Sequence, residues 1–243
     1  MRNIWRVHHK YYSGPVYANT VKTIFRFIFA YSFLNWLVKS HRYLDVQKTM
    51  YHWSGKSTQA KRLVERIASG GGQAVLLPFP DRKEPFGQVI DRYLRKEIDL
   101  CERALHLAFS ANRWEKASFI EEKIAAGVDV VCDRYCFSGV AYSIAKGLDS
   151  HWVRQADVGL PRPDVVLFFE VSPEVVKLRG GYGDERLESD ELQGKVHSAM
   201  KLLKKDYWQT VDADGEMDTV EATVQRIYSS ICRDEPLKRI ESI

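Results

Sequence analysis

Val130-Val131-Cys132-Asp133-Arg134-Tyr135-Cys136-Phe137-Ser138-Gly139-Val140-Ala141-Tyr142-Ser143 is the stretch that decides the fold. From Val128 to Cys132 it is continuously apolar apart from Asp129, the pattern of a parallel strand covered on both faces. It then turns to an acid, a base and an aromatic before a turn of small residues, which marks the ligand end of such a strand. Working outward, Asp164 to Val171 forms a second apolar strand, introduced by Pro161 and Pro163 and followed by Pro173 at the start of a helix. Gln73 to Leu77 reads as a short strand, and Val211-Asp212 as part of another. Between them, Lys56 to Ala68 has helical spacing and is stopped by Gly70-Gly71-Gly72. Further helical segments run through Leu94, from Leu100 to Ala125 up to Gly127, and from Val220 to Ile231. Strands alternating with helices of about 10–20 residues predict an α/β fold, a three-layer doubly wound parallel sheet with its ligands at the carboxyl ends of the strands.

The chain has 243 residues, 45% hydrophobic and 28% charged, which suits one α/β domain with an extension and excludes a disordered or nucleic-acid-coating composition. The net charge of +4 belongs to the head. Residues 1–44 carry Arg2, Arg6, Lys10, Lys22, Arg26, Lys39 and Arg42 with no acid, so the remainder is mildly acidic. Four cysteines in a chain of this length make no disulfide framework and have no metal-finger spacing; Cys132 and Cys136 read as small packing residues.

Several motifs carry chemistry. Ser54-Gly55-Lys56-Ser57-Thr58 opens a helix as the second half of a phosphate-binding loop: the helix N-terminus offers N–H groups, Lys56 neutralises phosphate and Ser57 can ligate Mg²⁺. Asp133 sits where an acid can hold Mg²⁺ through water, and Arg134 where a guanidinium can grip phosphate with paired hydrogen bonds. Phe109 and Arg113 lie four apart on one helix face, a flat ring beside a bidentate donor, as recognition of a pyrimidine base requires.

From Ser54 to about Ile231 the order of these motifs resembles the nucleoside monophosphate kinases, thymidylate kinase of the eukaryotic kind above all. Phe79-Pro80-Asp81-Arg82 and Asp-Val-Gly-Leu-Pro-Arg-Pro-Asp at 157–164 belong to the same resemblance. It implies phosphorylation of dTMP to dTDP by ATP and Mg²⁺, a step towards dTTP, in a homodimer without nucleic-acid partners. It implies that Arg82, in the motif begun by Phe79, binds the acceptor's 5′-phosphate. Phe109 would stack on thymine and Arg113 would bond its O4. Ser138 and Gly139 would line base and sugar, Tyr142 would crowd the 2′ position, and Gln193 matches a glutamine near the acceptor. Arg179-Gly180-Gly181-Tyr182-Gly183-Asp184-Glu185-Arg186 corresponds to a lid, placed at 179–190, that brings Arg179 and Arg186 to the transferring group beside Lys56 and Arg134.

Two departures accompany the resemblance. Leu187 stands where the family has a tyrosine, and Met50-Tyr51-His52-Trp53 replaces Gly-x-Asp-Arg in the first half of the loop. The strand expected before that loop has only Tyr43 to Met50 to supply it, and the alternation of Leu44, Val46, Lys48 and Met50 is a half-buried pattern, so the first strand reads as degenerate or missing. The domain is accordingly expected over 54–232, after an atypical head at 1–53 and before a tail at 233–243. The head admits three readings: a marginal membrane span over 21–38, an organelle transit segment, or a mistaken or alternative first exon. The compartment expected is cytoplasmic, with mitochondrial as the alternative. Against an active kinase stands the reading of an impaired, nucleotide-binding pseudokinase anchored by its head.

Overall fold

A computed structural model describes residues 42–48, 56–172, 175, 187, 189–231 and 235–243, within a unit spanning His41–Ile243. Its sheet has five parallel strands: β1 Tyr43–Lys48, β2 Ala74–Pro78, β3 Asp129–Asp133, β4 Val165–Glu170 and β5 Trp208–Asp212. They lie in the order β2-β3-β1-β4-β5. Eight helices among the described residues connect and cover them: α1 Lys56–Ser69, α2 Pro85–Leu94, α3 Glu102–Glu115, α4 Ala117–Ala125, α5 Cys136–Ala145, α6 Ser150–Gln155, α7 Asp190–Leu203 and α8 Met217–Ser230. The doubly wound parallel sheet is therefore present. The long helix expected to Ala125 is two helices, α3 and α4, meeting at Lys116.

The sheet separates two apolar layers. On one side Leu44, Val46, Val131, Leu167 and Phe169 pack with Ala60 and Leu63 of α1 and with Val220 and Val224 of α8. On the other, Tyr43, Val130, Val166 and Phe168 pack with Ile120 of α4, Phe137 and Val140 of α5, and Met200 of α7. A third cluster joins Ile90 and Tyr93 of α2 to Leu105 and Ala108 of α3, which seats that helix pair at the edge of the pocket described below.

The slot for a first strand is filled by Tyr43–Lys48, which corrects the half-buried reading of that segment over its described residues. Tyr43, Leu44, Asp45 and Val46 are each at most 1% exposed. Leu44 stands opposite Val131 of β3 and Val165 of β4, so β1 is the central strand. Polar groups close its entry: the Arg42 amide donates to Asp129 at 2.6 Å and the Tyr43 amide to Asp164 at 2.7 Å. The alternation that looked half-buried instead divides the strand between two covered faces, with Leu44 and Val46 in one layer and Tyr43 in the other. The Tyr43 ring meets Tyr135 edge-on at 5.8 Å and its hydroxyl accepts from the Cys132 thiol at 3.6 Å. The domain thus takes in residues 42–48, ahead of the boundary expected at Ser54.

Nor does the C-terminal segment stand apart. Ile240 and Ile243 are buried in the same layer as Phe137, and the Ile240 amide and carbonyl bond Leu160 and Gly159 at 2.9 and 2.8 Å. No helix among the described residues is long and apolar enough to cross a membrane, and residues 21–38 lie outside the described residues.

Truncating a side chain in the central strand tests its place. Leu44→Ala is expected to cost about 2–5 kcal/mol in urea unfolding, the cost of a core cavity, where an exposed or half-paired segment would lose little.

Candidate active site

β3 delivers Asp133 and Arg134 to the carboxyl edge of the sheet, beside the end of β1, where the chain order reverses and doubly wound sheets open a crevice. The Arg134 amide donates to the Val46 carbonyl at 3.1 Å, and Arg134 takes a left-handed φ of 72°. Such a conformation costs a non-glycine residue of order 1–3 kcal/mol, and it is held here by the β1 contact and by the helix that starts at Cys136. The Ser57 hydroxyl, in the first turn of α1, donates to the Asp133 carboxylate. The phosphate-loop helix and the Asp-Arg-Tyr strand therefore meet at one point. Lys56 begins α1, and Thr58 follows Ser57 there, exposed. Ser54, Gly55, Arg179 and Arg186 lie outside the described residues, as do most of the lid and the substituted stretch Met50-Tyr51-His52-Trp53.

From Asp133 a cavity of about 220 Å³ runs along the groove between α3 and α5. Phe79, Arg82, Phe109, Arg113, Asp133, Arg134, Ser138, Gly139, Tyr142 and Gln193 all line it. Residues drawn from four separate stretches of sequence thus share one wall. The 79–82 loop is pressed against α2 at Gly87, where a Cβ would stand 1.7 Å from the Asp81 carbonyl oxygen. Asn112 of α3 bonds the Asp81 amide at 2.8 Å from the other side. Arg82 reaches Asp91 of α2 at 2.6 Å, and Arg95 reaches the same carboxylate at 2.9 Å.

Arg113 is 2% exposed, and its guanidinium pairs with Asp157 through two bonds, Nε to Oδ1 at 2.9 Å and Nη2 to Oδ2 at 2.7 Å. Burial alone would pull the guanidinium pKa down; the Asp157 charge outweighs it and holds Arg113 above its ordinary value. Gln193, on α7, donates to the Tyr142 hydroxyl at 2.9 Å and to the Leu187 carbonyl at 2.7 Å, tying Leu187 to α5. Leu187, in the place of a family tyrosine, packs against the α2–α3 cluster and lines the cavity as an apolar surface. Burial raises the Cys132 and Cys136 thiols well above their usual value, so both remain protonated packing groups.

The thymidylate kinase family model matches residues 53–224. The chain belongs to the thymidylate kinase family. It is 57% identical to the thymidylate kinase of Caenorhabditis elegans over 200 residues, 78% of this chain and 92% of that protein. Against the thymidylate kinase of Homo sapiens the identity is 41% over 184 residues, 74% of this chain and 87% of the relative. The solved thymidylate kinase of Candida albicans superposes with a TM-score of 0.75 at 31% identity, covering 83% of this chain and 98% of that one. The family match begins after β1, so the central strand comes from sequence outside it.

Sequence reasoning about this thymidylate kinase fold missed several cavity residues because their partners are far away in the chain. Lys146 and Glu102 close one end of the groove with an ion pair at 2.8 Å, 44 residues apart. His106, one turn before Phe109 and Ser110 on α3, bonds Ser143 of α5 at 2.8 Å and meets the Trp152 ring at a tilt, with centroids 5.4 Å apart. The helical phase of Phe109 and Arg113, extended back one turn, was the signal that could have found it.

Burial, and then the Arg113 charge, hold the His106 pKa below its ordinary value, and burial does the same to His197 on α7. Both imidazoles are therefore neutral in the folded protein at a pH where the unfolded chain already binds protons. Stability is fully present above about pH 6.5 and falls as the pH drops below it, because the unfolded state takes up the protons first. A midpoint of thermal unfolding that declines from pH 7 to 5, with a shallower decline in His106→Asn, is the expected outcome.

Proposed function

We propose that the chain transfers the γ-phosphoryl group of ATP to the 5′-phosphate of dTMP, yielding ADP and dTDP. The observation that carries this reading is the single cavity that holds a base-reading pair, Phe109 and Arg113, together with two phosphate-reading cations, Arg82 and Arg134. An acceptor seated there has its pyrimidine stacked on Phe109 with O4 at the Arg113 guanidinium, and its phosphate between Arg82 and Arg134. Tyr142, fixed by Gln193, fills the space a 2′-hydroxyl would need and selects deoxyribose. Ser138 and Gly139 border base and sugar without bulk.

An oxygen of the acceptor phosphate attacks the γ-phosphorus in line, the bond from that phosphorus to the ADP oxygen breaks, and no general base is required because the attacking phosphate is already largely ionised at neutral pH. Catalysis then rests on position and charge. Arg134, set by its left-handed backbone, brings positive charge to the transferring group in this proposal, and the family resemblance extends the same role to Lys56, Arg179 and Arg186. The donor set at Ser57 and Asp133 fits Mg²⁺: a hydroxyl and a carboxylate in contact, both hard oxygen ligands. Ser57 and Asp133 would hold the ion, and its charge would offset that of the donor's phosphates. The homodimer implied by the resemblance forms part of the same proposal, and so does a cytoplasmic location. Kinship with thymidylate kinases at this level does not favour the pseudokinase reading.

Two measurements test the reading. Incubation of the full chain with ATP and dTMP is expected to give ADP and dTDP in equal amounts, with UMP a poor acceptor; dTMP binding without product would overturn the catalytic claim. In Gly139→Ala, the added methyl would stand 2.9 Å from Arg113 Nη1, whose guanidinium Asp157 keeps from retreating. Its KM for dTMP is expected to rise about tenfold, the scale of one charge-assisted hydrogen bond, with kcat changed far less.

A further inference from the structure

The aspartate that opens the Asp-Val-Gly-Leu-Pro motif touches no reacting group in the chemistry above, yet it is wholly enclosed and paired with a cavity residue. Asp157 is 0% exposed and Arg113 is 2% exposed, and they form a bidentate pair. A guanidinium has five N–H donors. Asp157 takes the Nε–H and one hydrogen of Nη2, so the two hydrogens of Nη1 and the second of Nη2 remain along the opposite edge. That edge is located by Gly139, a cavity residue: a Cβ on Gly139 would stand 2.9 Å from Nη1 and 3.1 Å from Nη2.

Asp157 is itself held at several points. The Ser110 hydroxyl lies 2.8 Å from its Oδ1 and 2.9 Å from the Ala156 carbonyl oxygen. The Trp114 indole N–H donates to that same carbonyl at 2.9 Å. Two residues further on, the Gly159 amide donates to the Ile240 carbonyl at 2.8 Å. The segment is thus fixed to α3 on one side and to the C-terminal segment on the other. A carboxylate so fixed permits the guanidinium one plane and one rotation.

We propose that Asp157 is a positioning residue for base recognition, which aims the Nη1 edge of Arg113 at the 4-oxo group of the pyrimidine. This rests on the dTMP reading of the cavity. The pair also cancels its own charge, so the site presents oriented donors without a net cation that would attract phosphate into the base end. A 4-amino group in place of the 4-oxo group would set donor against donor. Discrimination between thymine and 5-methylcytosine at the same cavity is therefore a property that Asp157 imposes through Arg113.

Calorimetric binding of dTMP and of 5-methyl-dCMP to the full chain, without ATP, tests this apart from turnover. The wild-type chain is expected to bind dTMP and to prefer it to 5-methyl-dCMP. In Asp157→Asn the affinity for dTMP is expected to fall about 10- to 100-fold while 5-methyl-dCMP changes little, so that the preference collapses. A merely structural role would weaken both ligands in proportion and leave their ratio unchanged, and that result would overturn the proposal. Ser110→Ala keeps both charges and is expected to narrow the ratio by a smaller factor, about two- to fivefold. If Asp157→Asn does not fold, an unchanged ratio in Ser110→Ala overturns the proposal. Absence of dTMP binding by the wild-type chain would remove the functional reading and this inference together, whereas binding without turnover would leave the inference standing.

Discussion

The hydrogen-bonded ladder between β1 and β3 is the constraint on which the rest of the structure depends. A parallel strand in the middle of a sheet must give and receive bonds on both edges, and an unfilled slot would strip partners from β3 and β4 at once. Here β1 fills that slot, and the bond just beyond the end of β3, from the Arg134 amide to the Val46 carbonyl, also fixes the backbone of the arginine proposed to bind phosphate. Fold and site therefore share one contact. The left-handed backbone at Arg134 is sustained because strands on one side and a helix start on the other leave it no alternative.

From that edge the site divides by chemistry. On the reading proposed above, the groups for phosphate and metal, Ser57, Asp133, Arg134 and Arg82, lie toward the sheet. On the same reading, those for the base lie along the α3–α5 groove, where Arg113 lines the cavity and pairs with the buried Asp157. Buried ion pairs are a weak source of stability, since desolvation offsets most of their attraction. The pair makes more sense as geometry: it fixes a planar donor at the wall of the cavity, where the proposed function has a base edge read, and Gly139 leaves the space for it.

Much of this was legible in the sequence for a physical reason. A strand covered on both faces must be apolar, so Val130-Val131-Cys132 and Val165 to Phe169 declared themselves. Phe109 and Arg113 share a helical phase, and Asp133 and Arg134 follow directly from a strand end. The central strand was not legible, because Tyr43 and Asp45 alternate with Leu44 and Val46 in the way a half-exposed strand does. Only the three-dimensional setting shows that both faces are covered, with Asp45 wholly buried opposite Cys132. Asp157, Asp91 and Lys146 escaped for a different reason. Their roles depend on partners 44, 9 and 44 residues away, and no local period encodes such pairings.

Hydrogen exchange of the backbone amides of Tyr43 to Lys48 in the full chain, compared with those of Val130 to Cys132, is the most direct measurement of the central claim that β1 completes the sheet and thereby the site. The account predicts that both strands exchange only through global unfolding, with equally slow rates. Rapid exchange across 43–48 while β3 stays protected would contradict it.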